Sequence, residues 1–362
     1  MNDAETSSVP EPNANPDLIG HGEAEGALLR AYGANRLHHA WLITGMRGIG
    51  KATLAYRFAR FVLAGPAEGD LFASTPASLY VAPEHPVFKR IAAGGHGDLK
   101  SLARGYDQER KKARSEIVVG DVRGIGAFLS LTAAEGGWRV VVIDGAEDMN
   151  RNAANAVLKA LEEPPRRTVL LLVSHAPGRL LATIRSRCRH LPLKPLAEED
   201  VTRLLHRLRP GLDAGEATAL ARIAEGSPGK ALALAEEGGI ELYRELIGLL
   251  TPLPELDVKA LHGLGDRLGR RGNEDGFHTF TELTRWWFAR LVRAGALGVL
   301  PPEIVPGEGA LMARLISLRG LDQWVGVWEK TSHLFDRADS IKLDHKQVVL
   351  SAFLTLQSDM RA

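Results

Sequence analysis

Cysteine is nearly absent from this sequence of 362 residues, which contains only Cys188. A single thiol excludes a disulfide within the chain and any zinc module made of several cysteines. Such low cysteine use is typical of a reducing compartment. No run of eighteen apolar residues is present, and the acidic, proline-containing start lacks the basic and apolar segments of a signal peptide. We therefore expect a cytoplasmic protein with no membrane partner and a flexible start at residues 1–16.

An excess of charge of either sign is also missing. Lys and Arg number 45 and Asp and Glu number 44, which gives a net charge of +1. Any contact with nucleic acid must therefore come from a local basic patch rather than from the field of the whole protein. With 45% hydrophobic and 25% charged residues, the composition is that of an ordinary globular protein. The length is sufficient for two or three domains.

Residues 38–53 have the pattern of a buried strand, a glycine-rich turn and the start of a helix. Such a turn binds phosphate through backbone N–H groups and a lysine charge. The groups predicted to do so here are Gly45, Gly48, Gly50 and Lys51. The hydroxyl that normally follows the lysine and binds magnesium is missing, since Ala52 stands there and Thr53 comes one position late. The alternative is a glycine-rich turn with a chance lysine.

Strands and helices are predicted to alternate in the next part of the chain. Apolar segments at 116–119, 138–144 and 168–174 have the pattern of buried strands, and helical patterns separate them. This alternation indicates an α/β domain with a parallel sheet covered by helices on both faces. Ligands bind at the carboxyl ends of such strands, which is where the glycine-rich turn is expected.

From residue 197 onward the pattern is helical to the end. Shorter, glycine-punctuated helices are expected up to residue 240, and longer ones from residue 241 to residue 362. The second group contains four of the six tryptophans, Trp286, Trp287, Trp324 and Trp328. Aromatic residues at helical spacing are more often part of a core, although a surface for oligomerisation is also compatible with them.

Asp144 ends one of the predicted strands, at the position where NTP hydrolases of this architecture support magnesium. A loop or helix-capping role is the alternative. The glutamate that positions the attacking water would come next, but that residue is Gly145. Glu147 and Asp148 follow too late along the chain to be expected in its place.

The segment Ser186-Arg187-Cys188 follows the last predicted strand by about a dozen residues. An arginine at the edge of a domain can reach a phosphate bound by a neighbouring subunit and stabilise its transition state. Taken by themselves, Arg185, Arg187 and Arg189 are better explained as a solvated basic surface.

Three segments together change that interpretation. GMRGIGKAT at 45–53, the stretch from LSLT to LEEPP at 129–165 and TIRSRCRHLPLKPL at 183–196 resemble the AAA+ clamp-loader subunits of bacterial DNA polymerase III. The resemblance implies a P-loop α/β domain at 17–196, a helical lid at 197–240 and a helical collar at 241–362. It also implies assembly with gamma/tau and delta subunits into a pentameric ring that loads the sliding clamp onto primed DNA. The chain would thus be a component of the DNA polymerase III holoenzyme, a DNA-directed DNA polymerase.

Three departures from the family indicate a subunit that does not hydrolyse ATP. Hydrolysing members carry a hydroxyl, a glutamate and a lid arginine where this chain has Ala52, Gly145 and Gly229. Arg187 is retained, and the resemblance implies that it acts in trans as an arginine finger. We expect ATP binding to be weak or absent. Zinc is not expected, because the four-cysteine module of many relatives cannot form with one cysteine.

Two other functions remain open at this point. A gamma/tau-type motor subunit would hydrolyse ATP with Lys51, Thr53 and Asp144. A P-loop phosphotransferase unrelated to replication would be consistent with Lys51 alone.

Overall fold

The computed structural model describes residues 10–34, 36–65, 78–107, 112–134 and 137–361. Within this part of the chain there are two compact units. The first ends at Pro210 and also includes Glu225–Gly229, and the second consists of Gly211–Ala224 and the chain from Lys230 onward. The division into domains at 17–196, 197–240 and 241–362 stays a prediction. Residues 1–9 of the expected flexible start lie outside the described residues.

A five-stranded sheet forms the centre of the first unit. All of its strands run parallel, in the order β2-β5-β6-β1-β7. Two further short strands, β3 and β4, form an antiparallel ribbon. The strands are β1 (Ala40–Thr44), β2 (Leu99–Leu102), β3 (Tyr106–Asp107), β4 (Lys112–Ala113), β5 (Arg139–Asp144), β6 (Thr168–Ser174) and β7 (Arg189–Pro192).

Helices cover both faces of this sheet. They are α1 (Gly22–Gly33), α2 (Lys51–Ala64), α3 (Pro86–Ala92), α4 (Val119–Ser130), α5 (Arg151–Glu162), α6 (Ala182–Arg185) and α7 (Glu198–Leu208). One face packs against α4, α5 and α6 in a single apolar cluster. The other face packs against α2, which contacts β1, β5 and β6. Every residue of β1 and β6 is buried. The predicted α/β architecture is therefore confirmed.

The predicted strand at 116–119 is wrong. Only Ile117 makes a bridge, with Met149, and helix α4 begins at Val119. The N–H group of Val118 donates to the carboxylate of Asp121 at 3.0 Å, and this capping hydrogen bond stabilises the start of α4. The strand beside β5 is instead β2, whose sequence LKSL has no continuous apolar run. An edge strand is buried less completely than a central one, so its pattern is weak.

In the described part of the second unit, the secondary structure consists of helices joined by turns. They are α8 (Ala214–Ala224), α9 (Pro228–Glu236, of which 230–236 belong here), α10 (Gly239–Leu250), α11 (Val258–Leu268), α12 (Glu274–Leu297), α13 (Glu308–Leu318), α14 (Leu321–Ile341) and α15 (His345–Arg361). The long helix α12 packs against α10, α11, α13 and α14. No helix within the described residues is both long and apolar enough to cross a membrane.

The four tryptophans of this unit divide into two pairs. Trp287 and Trp324 are fully buried, and the ring nitrogen of Trp324 donates to the carbonyl oxygen of Leu315 at 2.9 Å. Trp286 and Trp328 are partly exposed. The first pair belongs to the core, so a role in oligomerisation would depend on the second pair.

Candidate functional site

The glycine-rich turn joins the end of β1 to the start of α2, as the sequence predicts. Gly45, Gly48 and Gly50 all have positive φ angles, of 147°, 74° and 103°. A side chain at Gly45 would also lie 2.9 Å from the carbonyl oxygen of Leu193. Only glycine adopts these conformations without strain. The turn is thus formed by backbone, with the N-terminus of α2 directed into it, which is the arrangement that binds anions.

Lys51 is the first residue of α2, and only 7% of it is exposed. Its ammonium group donates to the carbonyl oxygen of Met46, within the same turn, at 2.6 Å. Burial lowers the pKa of Lys51, while the nearby carboxylates of Glu147 and Asp144 act in the opposite direction. The lysine charge is therefore held inside the turn by groups of its own chain.

Asp144 ends β5 and faces this lysine. Burial raises the pKa of Asp144, and the charge of Lys51 partly offsets that effect. The next residue, Gly145, has a φ of 74°. A Cβ atom at position 145 would lie 2.9 Å from a carboxylate oxygen of Asp148. A glutamate at position 145, where a hydrolase would carry one, would thus adopt a strained backbone conformation and require the Asp148 side chain to shift.

Glu147 is a member of the site that sequence reasoning missed. Its side-chain carboxylate accepts hydrogen bonds from the backbone N–H groups of His175 (2.8 Å) and Ala176 (3.2 Å), just beyond β6. The His175 ring also contacts it. Burial alone would raise the pKa of Glu147, but hydrogen bonds from the backbone of Glu147 itself and of His175, one from the Ser174 side chain and the charge of His175 outweigh it, and the pKa is lowered. Its place in the sequence, three residues after Asp144, gave no sign of this link to β6.

Thr53 lies in the first turn of α2, two residues beyond Lys51. Successive residues of an α-helix are rotated by about 100°, so the two side chains point about 200° apart around the axis. The hydroxyl of Thr53 is therefore not in the position of the missing magnesium ligand. With Ala52 beside Lys51, the donor set does not fit a magnesium-bound nucleotide.

Residues 226–229 lie directly against the glycine-rich turn within the first unit. The hydroxyl of Ser227 donates to the carbonyl oxygen of Arg47 at 2.7 Å, and the N–H group of Gly229 donates to that of Gly48 at 2.8 Å. A Cβ atom at Gly229 would lie 2.8 Å from the Cα atom of Gly48. This approach therefore requires glycine at the position where hydrolysing relatives carry the lid arginine. Ser227 was not singled out in the sequence, although it lies only two residues before Gly229.

Arg187 lies just before the amino end of β7, away from the carboxyl ends of the strands where the glycine-rich turn lies. Strands β1 and β7 are parallel, with Arg189 beside Trp41 and Pro192 beside Thr44. The turn follows Thr44, whereas Arg187 precedes Arg189, so about 10 Å of strand separates the turn from the segment that contains Arg187. Lys51, Asp144 and Glu147 are thus brought together, and Arg187 is not part of that group.

The Arg187 guanidinium contacts two groups of its own chain. It donates to the carbonyl oxygen of Thr183 at 3.0 Å and lies 2.7 Å from a carboxylate oxygen of Glu162. The side chain is 36% exposed. The next residue, Cys188, is buried in the cluster beneath the sheet, and this contact fixes the backbone from which Arg187 projects.

Comparison with known proteins gives a consistent result. Residues 20–197 match the family model described as "DNA polymerase III, delta subunit". A "DNA polymerase III subunit delta'" from Pseudomonas aeruginosa is 42% identical over 163 residues, 45% of each chain, and one from Escherichia coli is 36% identical over 208 residues, 57% of each. The "DNA polymerase III subunit tau" of Escherichia coli is 32% identical over 233 residues, 62% of this chain and 33% of tau. The chain thus spans about half the length of the delta' relatives that it matches.

The contact between Gly229 and the glycine-rich turn can be tested by adding one methyl group. We expect Gly229→Ala to destabilise the protein by about 1–3 kcal/mol, because the methyl group overlaps the backbone of Gly48. Urea unfolding followed by circular dichroism measures the change. Gly126→Ala in α4 is the matched control, since a Cβ atom there meets nothing within 4 Å. A stability gain in both variants would contradict the close approach.

The burial of Cys188 predicts an unreactive thiol. Burial raises its pKa to about 12, and only the thiolate attacks disulfide reagents. We expect the native protein at pH 8 to react with Ellman's reagent at least about 100-fold more slowly than the protein unfolded in guanidinium chloride. Because the chain has one cysteine, the signal is unambiguous. Equal rates in the two conditions would show that the residue is accessible.

Proposed function

We propose that the chain is a delta' subunit of a clamp loader, on the premise that residues 20–197 match the family model described as "DNA polymerase III, delta subunit". In this role it assembles in the cytoplasm with gamma/tau and delta subunits in a pentameric ring. The ring opens the sliding clamp and loads it onto primed DNA. The chain itself does not turn over ATP, and it donates Arg187 to the nucleotide site of the adjacent motor subunit.

One observation carries the proposal. The incomplete nucleotide site lies at the carboxyl end of β1, whereas the half-buried Arg187 precedes the amino end of β7, at least about 10 Å away along the strands, so Arg187 is remote from the P-loop of its own chain. A guanidinium placed in this way is suited to a phosphate bound elsewhere, since its planar group of donors matches phosphate oxygens. The geometry at Gly145 and Gly229 supports the same assignment, because a side chain at Gly229 would overlap the backbone of Gly48 and one at Gly145 would be strained and close to Asp148.

The role of Arg187 is tested in the reconstituted complex. An arginine finger contributes on the order of 10³–10⁵ in kcat. With Arg187→Ala we therefore expect the adjacent site to become inactive, and the DNA-stimulated ATPase rate to fall to that of the remaining sites. Arg185→Ala is the matched control, because that arginine lies two residues away in the chain and is also partly exposed. An unchanged rate with Arg187→Ala would eliminate the trans role.

We also propose that no nucleotide is held tightly in this chain. Lys51 already donates to Met46, so a phosphate would share the ammonium group with that carbonyl, and it would do so without the help of a magnesium ligand at Ala52. We expect a fluorescent ATP analogue with magnesium to show no saturation below about 1 mM, an affinity of only about −4 kcal/mol. Saturation at micromolar concentration, lost with Lys51→Ala, would contradict this.

A gamma/tau-type motor subunit is the second candidate. The observation in its favour is the alignment with tau, which extends over more of this chain than either delta' alignment, although at lower identity. Such a subunit would hydrolyse ATP by itself. ATPase activity of the purified chain that disappears with Lys51→Ala would favour it over the first proposal.

Contact with primed DNA follows from the proposed assembly. With a net charge of +1, the chain has no general attraction to DNA. Binding would therefore depend on local lysine and arginine contacts to phosphates, which are independent of base sequence and weaken as salt rises.

A further inference from the structure

Glu162 and Arg187 form the ion pair that most directly concerns the proposed trans role. One guanidinium nitrogen of Arg187 lies 2.7 Å from the Glu162 carboxylate, and another donates to the Thr183 carbonyl oxygen at 3.0 Å. The side chains of Glu162 and Arg187 are 48% and 36% exposed. The pair is thus open to solvent on one side, and both contacts can be exchanged for others.

The position of Glu162 in its helix is unusual for a residue that serves stability. Glu162 is the last residue of α5, and Pro164 and Pro165 follow shortly after. The C-terminal end of a helix carries partial negative charge, so a carboxylate is unfavourable there. The guanidinium of Arg187 offsets this repulsion. Glu163, the next residue, is exposed and provides a natural comparison.

We propose that Glu162 is a positioning residue that holds Arg187 in a parked conformation until the phosphate of a neighbouring subunit's nucleotide displaces it. This inference rests on the proposed function of Arg187. The carboxylate and the phosphate compete for the same guanidinium. A phosphate group carries more negative charge and more acceptor oxygens than a carboxylate, so it displaces Glu162 when it comes within reach. Without that phosphate, Arg187 stays on its own chain.

The parked state is tested first in the isolated full chain. Phenylglyoxal modifies arginine in its unprotonated form, and an adjacent carboxylate disfavours that form and shields the group. We expect Glu162→Gln to raise the modification rate of Arg187, followed by peptide mass spectrometry, about 2- to 5-fold, the scale of an exposed ion pair. Glu163→Gln should leave the rate unchanged, and Arg185 is the internal reference.

The salt dependence of the labelling rate shows whether Glu162 protects Arg187 electrostatically or sterically. Exposed charge pairs are screened at high ionic strength, so the difference between the wild type and Glu162→Gln should narrow in concentrated sodium chloride. A difference that persists, or one that is absent at low salt, overturns the proposal. Equal thermal unfolding midpoints of the variants show that the fold is intact.

The competition is tested in the reconstituted clamp loader. We expect Glu162→Gln to lower the apparent KM for ATP about 2- to 5-fold with little change in kcat, and Glu163→Gln to change neither. In an Arg187→Ala background, Glu162→Gln should have no effect. A higher KM or a lower kcat would mean that Glu162 orients Arg187 for catalysis, and would overturn the parked state.

The two levels of proposal fail in different ways. If Arg187→Ala leaves the ATPase rate unchanged, the trans role fails and the parked state has no function. If Arg187→Ala lowers the rate while Glu162→Gln changes neither the labelling nor the KM, only the inference about Glu162 fails.

Discussion

Three consecutive carbonyl groups of the glycine-rich turn are bonded by donors of the same chain, and the character of the site depends on these bonds. Met46 accepts from the Lys51 ammonium, Arg47 from the Ser227 hydroxyl and Gly48 from the Gly229 N–H group. Buried polar groups must find partners, and here they find them without a ligand. The turn thus keeps the form of a phosphate cradle while its lysine is satisfied internally. A nucleotide phosphate, which needs donors, would share the Lys51 ammonium with the carbonyl oxygen of Met46.

The two glycines that stand in place of hydrolytic residues, Gly145 and Gly229, are also constrained by contacts within the chain. Gly145 has a left-handed backbone with a carboxylate of Asp148 close by, and Gly229 lies against the backbone of Gly48. Neither position accepts a longer side chain without a shift of its neighbours. The Glu147 carboxylate accepts hydrogen bonds from two backbone N–H groups just beyond β6, and these bonds stabilise its negative charge. Introducing a longer side chain at either position would therefore also require its neighbours to move.

Much of the first unit could be predicted from the sequence, and the errors have clear physical reasons. Strands β5 and β6 are continuous apolar runs because both of their faces are buried, and the glycine turn is specified by residues that tolerate positive φ. The edge strand β2 was missed because LKSL lacks such a run. The segment at 116–119 was mistaken for a strand because the cap from Asp121 lies beyond the apolar residues. The partners of Glu147, Ser227 and Arg187 are distant in sequence or depend on rotamers, and no local pattern encodes them.

Because β1 and β7 run parallel, the phosphate cradle lies at the carboxyl end of β1 and Arg187 lies at the amino end of β7. When one of these two surfaces contacts the other surface of a neighbouring subunit, the contact is heterologous, or head to tail. A series of such contacts can be repeated from subunit to subunit. A subunit that gives an arginine but whose own cradle needs none shares a nucleotide site with one neighbour only. If Arg187 acts as proposed, this chain marks the position in the ring at which the series of shared nucleotide sites is interrupted.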